Sequence, residues 1–328
     1  MIIVFNMITA SAPGKLMLFG EHAVVHGKPC ISTAVDHRMI VLAKKRKDDL
    51  IVLKTSQVGI KNYKIRIKDL KNRNYNKGCS FVFCAVNNFF EKYNVKSGLE
   101  IKTKSEFSSE FGLGSSSAVT VCAIGALAKL FKIEMKEKEI FDLAYKTVLD
   151  VQKRGSGYDV ATAIYGGTIL FKRGGKLIKK INTRGLPLIV GYTGVKADTA
   201  ELIKMVEEKE KKYPELVNPI FDLVETIVLQ AKRYIERKDL DRLGGLMNFS
   251  HGILAATGVS SKELEKLIYA ARNAGALGAK LSGAGGGDCM IAIANVNSRR
   301  EVERAIEKVG GKIIEVKTNV KGLTVSSL

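Results

Sequence analysis

The chain has no tryptophan, and only five prolines and four histidines among 328 residues. So little proline leaves no room for a polyproline linker or a fibrous repeat. The five cysteines, Cys30, Cys79, Cys84, Cys122 and Cys289, are odd in number and form no C-x-x-C pair. With so few histidines beside them they do not suggest a zinc site. Free, buried thiols in a reducing cytosol are the expectation, which makes the protein cytoplasmic. No apolar run approaches the ~18 residues of a membrane span. Met1–Asn6 is apolar, but it is too short for a signal peptide and lacks a basic flank, so it reads as a first strand.

Acidic residues are scarce relative to basic ones: 33 Asp and Glu face 53 Lys and Arg, a formal net charge of +20. An excess of this size can attract nucleic acid, an anionic membrane or a small anionic substrate, or it can simply solvate the surface. The lysines are dispersed, and no aromatic residues interleave with them in an RNA-binding order. Glu207-Glu-Lys-Glu-Lys-Lys212 alternates sign like a solvated ion-pair face. No nucleic-acid partner is therefore expected, and a basic RNA-binding protein is kept as the alternative from another class.

What the chain does have is apolar residues (46%) and 31 glycines. The apolar content can build a sizeable core, and the length suits one large domain or two ordinary ones. Short β-type runs occur at Ile8–Ala12, Met39–Ala43, Leu50–Leu53 and Leu99–Thr103, with a turn expected at Pro13-Gly14. Helical spacing marks Ser80–Tyr93, a helix after Ser117, and Glu137–Gln152. Strands are expected at Thr168–Phe171 and Leu188–Tyr192. Beyond them four helices are expected, at Thr199–Tyr213, Pro219–Arg237, Asp239–Ala255 and Ser261–Ala274. A strand (Met290–Ala294), a helix (Ser298–Val309) and a strand (Lys312–Val316) complete an α+β pattern without regular βαβ alternation. A composition shift near 172–187 divides the chain into 1–180 and 181–328.

Glycine clusters coincide with the residues that could carry chemistry. Gly112-Leu113-Gly114-Ser115-Ser116-Ser117 opens an apolar helix, where backbone N–H groups and the helix dipole favour an anion. The alternative is an ordinary capped helix after a glycine turn. It is neither a Walker loop nor a dinucleotide fingerprint. Gly283-Ala-Gly285-Gly286-Gly287-Asp288 suits close approach to a ligand or to another loop. Lys15 follows Ser11-Ala-Pro-Gly, while Glu21 and His22 lie in an otherwise apolar stretch, as a substrate group or a buried network. Asp159, after Gly155-Ser-Gly, can accept a hydroxyl proton or cap a turn.

Taken in this order, the segments resemble the GHMP kinases, a family named for galactokinase, homoserine kinase, mevalonate kinase and phosphomevalonate kinase. Ser11–Lys15 with Gly20-Glu-His-Ala-Val-Val-His-Gly27 is most similar to the family's archaeal mevalonate-phosphorylating branch. The resemblance implies an N-terminal half like ribosomal protein S5 domain 2, a ferredoxin-like C-terminal half, and a nucleotide in the cleft between them. It implies transfer of the γ-phosphoryl group of ATP to mevalonate with Mg²⁺ as cofactor, phosphomevalonate being the alternative acceptor and a homodimer the assembly allowed for.

It further implies a role for each motif residue. Asp159 would be the base, and Lys15 its partner and a stabiliser of phosphoryl charge. The N–H groups of Gly112 to Ser117 would wrap the phosphates, and Ser116 would ligate Mg²⁺. Glu21 and His22 would touch the acceptor, with Thr199, Gly285, Gly286 and Gly287 closing the site. The chain also departs from the pattern. Ser108 and Glu110 replace a proline and a glycine, and Val148 stands where the family has a metal-binding glutamate, with Asp150 as the nearby substitute. Gly155–Val160 and Asp288-Cys289 are more similar to the phosphomevalonate branch.

Overall fold

A computed structural model describes residues 7–55, 62–76, 78–106 and 111–327. The expected strand at Met1–Asn6 and the substitutions Ser108 and Glu110 lie outside the described residues.

The first half is built on one mixed sheet. Its strands are β1 (Ile8–Phe19), β2 (Cys30–Arg46), β3 (Leu50–Thr55), β4 (Tyr63–Arg66), β5 (Gly98–Ser105), β6 (Thr168–Lys172) and β7 (Leu177–Lys180). Four helices join it: α1 (Ser80–Tyr93), α2 (Ser115–Leu130), α3 (Glu137–Gln152) and α4 (Tyr158–Tyr165). Met39, Val41 and Ala43 of β2 point inward in alternation, as a half-buried strand requires. Helix α2 is apolar nearly all round and is buried from Ser117 to Ala128 except at Val119, because it runs over β1 and β2 between α1 and α3.

The second half is a four-stranded antiparallel sheet of β8 (Leu188–Tyr192), β9 (Ala276–Ser282), β10 (Cys289–Ala294) and β11 (Lys312–Ile314). The helices around it are α5 (Thr199–Lys212), α6 (Pro214–Arg237), α7 (Leu240–Ala256), α8 (Lys262–Asn273) and α9 (Arg299–Lys308). β8 and β10 are buried along their whole length. Each half has its own apolar core, and β1 feeds both: Met17 points into the first, Leu16 and Leu18 into the second.

Four local expectations are corrected. Pro13-Gly14 is not a turn. β1 runs straight through it, and the pairing with β2 jumps from Pro13–Arg38 to Gly14–Val35. A proline that cannot donate to the ladder sits at such an irregularity. Residues 158–165 form a short helix that the apolar run did not announce. Ala276–Ser282 is a strand whose pattern was hidden by Gly278 and Lys280. The end of the chain, expected within 181–328 to belong to the second unit, returns to the first: β12 (Thr324–Ser327) pairs with β1. The Arg38 guanidinium fastens this return by donating to the carbonyls of Lys321 at 2.9 Å and Gly322 at 2.8 Å.

Helix α7 and strand β9 touch backbone to backbone. A Cβ on Gly278 would lie 2.0 Å from the Gly244 oxygen, whereas one on Gly252 of the same helix meets nothing within 4 Å. Gly278→Ala should therefore destabilise the protein by about 2–3 kcal/mol, read as a lower urea midpoint. Gly252→Ala should be neutral or stabilising by up to ~1 kcal/mol. Equal shifts for the two variants would refute the close contact.

Candidate active site

Two helix N-termini meet at the junction of the halves. Helix α2 starts after Gly112 (φ 66°) and Gly114 (φ 83°), and α4 after Gly157 (φ 91°); all three φ values lie in the left-handed region that glycine tolerates. No side chain caps either helix, so the N–H groups at the start of α2 remain open to an anion at the positive end of the dipole. The helices are joined by their first turns: the Ser117 hydroxyl donates to Asp159 Oδ2 at 2.5 Å. Asp159 Oδ1 accepts the N–H of Val160 at 3.0 Å. The carboxylate is thus held in one orientation beside the open N–H groups.

Lys15 comes from β1 and is anchored on the same loop. Its backbone N–H donates to the Leu113 carbonyl, and its ammonium donates to the Gly112 carbonyl, both at 2.9 Å. A Cβ on Gly114 would come 3.0 Å from the lysine stem, so that glycine also makes room for Lys15. Burial alone would lower the Lys15 pKa. The Tyr158 phenol and the Asp159 and Asp288 carboxylates outweigh it and hold the pKa above its ordinary value. Lys15 is therefore a firmly charged cation. It acts on Asp159 through space, since each group's hydrogen bond goes elsewhere.

The glycine loop after β9 closes the other side. Its glycines serve the protein's own packing. Cβ atoms would fall 2.1 Å from the Val259 oxygen at Gly285, 2.9 Å from Leu202 at Gly286, and 2.5 Å from the Val195 oxygen at Gly287. Gly285 and Gly286, expected to border the acceptor, thus also owe their identity to contacts with neighbouring chain. Asp288, a non-glycine residue at φ 53°, brings its carboxyl against Gly112 and accepts the Ala197 N–H at 3.1 Å. Burial raises the Asp288 pKa against the pull of that N–H, Lys15 and Lys196. Thr199 is exposed and opens α5, two residues beyond Ala197.

Glu21 and His22 follow β1 and diverge in role. His22 (φ 59°) is buried, and its Nε2 donates to the Ala284 carbonyl of the glycine loop at 2.9 Å. Glu21 is only 2% exposed, and its Oε1 accepts from Lys280, which is 0% exposed. The carboxylate expected to touch the acceptor thus has one oxygen in an internal ion pair. Asp150 has partners within the protein. Its Oδ2 receives Lys146 and Asn88, each at 2.9 Å, and Arg73 at 3.2 Å. Two cations and an amide thus hold that oxygen in place. Lys280 and Tyr158 were given no role from the sequence, and Asp288 was named only as the end of the glycine loop, although a lone lysine in the apolar stretch Ala276–Ser282 is a readable signal.

An open helix terminus, a charged lysine and a fixed carboxylate between two α+β halves define a phosphotransferase site. Models described as the N-terminal and C-terminal domains of GHMP kinases match residues 80–167 and 231–313. One described as a galactokinase galactose-binding signature matches residues 5–45. The chain belongs to the GHMP kinase family of ATP-dependent kinases. Within that family, a mevalonate kinase of Pyrococcus furiosus is 38% identical over 333 residues, covering 98% of this chain and 99% of the relative. The solved mevalonate kinase of Methanococcus jannaschii superposes with a TM-score of 0.80 at 27% identity, covering 94% of this chain and 97% of that one. The L. major mevalonate kinase in complex with R-mevalonate has a TM-score of 0.76 at 27% identity, covering 95% of each chain.

Burial lowers the pKa of His22 and of His251 below the ordinary 6.5. Below that pH the unfolded chain takes up protons before the folded one does. Stability is therefore full above about pH 6.5 and falls as the solution is acidified toward the folded-state pKa values. The thermal midpoint should drop between about pH 7 and pH 5, and His22→Asn should flatten the slope. An unchanged slope would show that His22 is not held neutral by burial.

Proposed function

We propose that this chain phosphorylates the hydroxyl group of mevalonate with ATP, as a mevalonate kinase of isoprenoid biosynthesis. The observation that carries the phosphotransfer is the Ser117–Asp159 contact, which sets a carboxylate beside the open start of α2. The choice of acceptor is supported by similarity along 98% of the chain to a protein of that name.

In this reading the N–H groups from Gly112 to Ser117 bind the β- and γ-phosphates of ATP. Lys15 offsets the charge that builds on the phosphoryl group. Asp159 accepts the proton of the acceptor hydroxyl, with the Ser117 hydroxyl fixing its orientation. Phosphoryl transfer needs mainly placement and charge stabilisation, which these groups provide. The Ser116 hydroxyl at the start of α2 is a hard oxygen donor that fits Mg²⁺ carried on the phosphates, whereas Asp150 Oδ2 already faces two cations. Bound there, Mg²⁺ would neutralise phosphate charge. Val148 is 2% exposed and gives no ligand at the family's glutamate position. The five cysteines are free and buried, in keeping with a cytoplasmic enzyme.

ADP release should be measured with mevalonate, phosphomevalonate and galactose in turn. Turnover with mevalonate alone is expected, and none with it would sink the assignment. Asp159→Asn should lower kcat by about 10²–10⁴-fold while nucleotide affinity is kept; retained kcat would remove Asp159 from the base role.

Ser116→Ala should raise the Mg²⁺ concentration needed for half-maximal rate. Asp150→Ala should leave that concentration unchanged and lower the thermal midpoint instead. The opposite pattern would move the metal to Asp150.

A further inference from the structure

β9 and the loop beyond it fasten to the end of β1 at every second residue. Lys280 donates to Glu21, the Ser282 hydroxyl donates to the Met17 carbonyl at 2.8 Å, and the Ala284 carbonyl accepts from His22 at 2.9 Å. Lys280 and Ser282 have the period of one strand face, and Ala284 follows in the glycine loop. All three contacts cross from the second half to the first.

The first of them is the costliest to build. Lys280 is 0% exposed and Glu21 2%, so both charges have left water. Lys280 also donates to its neighbour's carbonyl, Leu281 O, at 2.5 Å, whereas Glu21 Oε2 is buried with no donor. An apolar pair would fill this space with less desolvation, so stability alone does not account for the ions.

Their location suggests another use. Glu21 directly precedes His22, whose φ of 59° is unfavourable for a residue with a side chain. On the other side, Gly20 is pressed against β2, where a Cβ would lie 2.5 Å from Cys30. Held by its neighbour, His22 can give its Nε2 proton to Ala284. That tautomer leaves Nδ1 as a hydrogen-bond acceptor.

We propose that Lys280 is a positioning residue for the acceptor: through Glu21 it fixes the His22 turn, so the acceptor subsite is assembled only when the two halves are joined. ATP is held by α2 and Lys15, which this contact does not touch. The inference rests on the acceptor chemistry proposed above and deepens it.

The test compares the wild-type protein with Lys280→Met and with the double variant Glu21→Met/Lys280→Met. Lys280→Met leaves a buried carboxylate unpaired and should lower the thermal midpoint strongly; the double variant should recover it. In both, KM for the acceptor should rise about tenfold to a hundredfold, with KM for ATP within about threefold of wild type. If Lys280→Met does not fold, the double variant is read alone. A wild-type acceptor KM in it overturns the proposal, and a raised one supports it. The ¹⁵N shifts of the His22 imidazole, recorded without acceptor, supply a second readout. The wild-type protein should show the Nε2–H tautomer, and the double variant should lose it; a retained tautomer overturns the proposal. A wild-type enzyme that does not turn over mevalonate refutes the substrate assignment alone, because the imidazole readout needs no acceptor.

Discussion

From Leu16 to Phe19 strand β1 buries both of its faces, one in each apolar core, and the site depends on that constraint. A strand with two dry faces cannot slip by one residue without exchanging every contact on both sides. Its register is therefore strongly fixed, and so are the groups it carries. Lys15 leaves it toward the phosphate loop, the Met17 carbonyl meets Ser282, and its end delivers Glu21 and His22 to the glycine loop. Side chains of one strand enter both cores, so the register of β1 sets how its groups stand between the halves.

The large positive charge has two distinct destinations. Many of its lysines are surface chemistry: Lys138–Asp142, Lys204–Glu208 and Lys232–Glu236 pair one helical turn apart along helix surfaces. Such pairs contribute little to stability. In the cleft, charge is used sparingly. One lysine faces the phosphate loop, and a second is consumed by Glu21. In the function proposed above, the rest of the anion affinity comes from backbone N–H groups, which need no side-chain ordering.

Glycine clusters made much of the site legible in the sequence, because they mark places where backbone must adopt positive φ or come close to something. Gly112 and Gly114 do this for the opening of α2 and for the Lys15 stem. At Gly285 and Gly286 the signal has two sources, since a close approach to Val259 and Leu202 leaves the same trace as one to a ligand. Elements with clean periodicity, such as Ser80–Tyr93 and Glu137–Gln152, were readable to the residue. β9 was not, because Gly278 and Lys280 break its pattern for reasons that exist only in three dimensions: a helix backbone against one and a glutamate from the other half against the other. The partner of Glu21 was hidden for a related reason, as Lys280 lies more than two hundred and fifty residues away in the chain.

The return of the chain to the first sheet bears on the order in which the molecule can be completed. Synthesis runs from β1 onward, yet the strand that borders β1 is β12, more than three hundred residues later by number, at Thr324–Ser327. Until then one edge of the sheet lies bare, and Gly125 of α2 lacks the Leu323 and Val325 side chains that cover it. An unpaired edge is the part of a sheet most open to wrong partners. The phosphate-binding half, though encoded first, is thus finished last, after the half that follows it has been made.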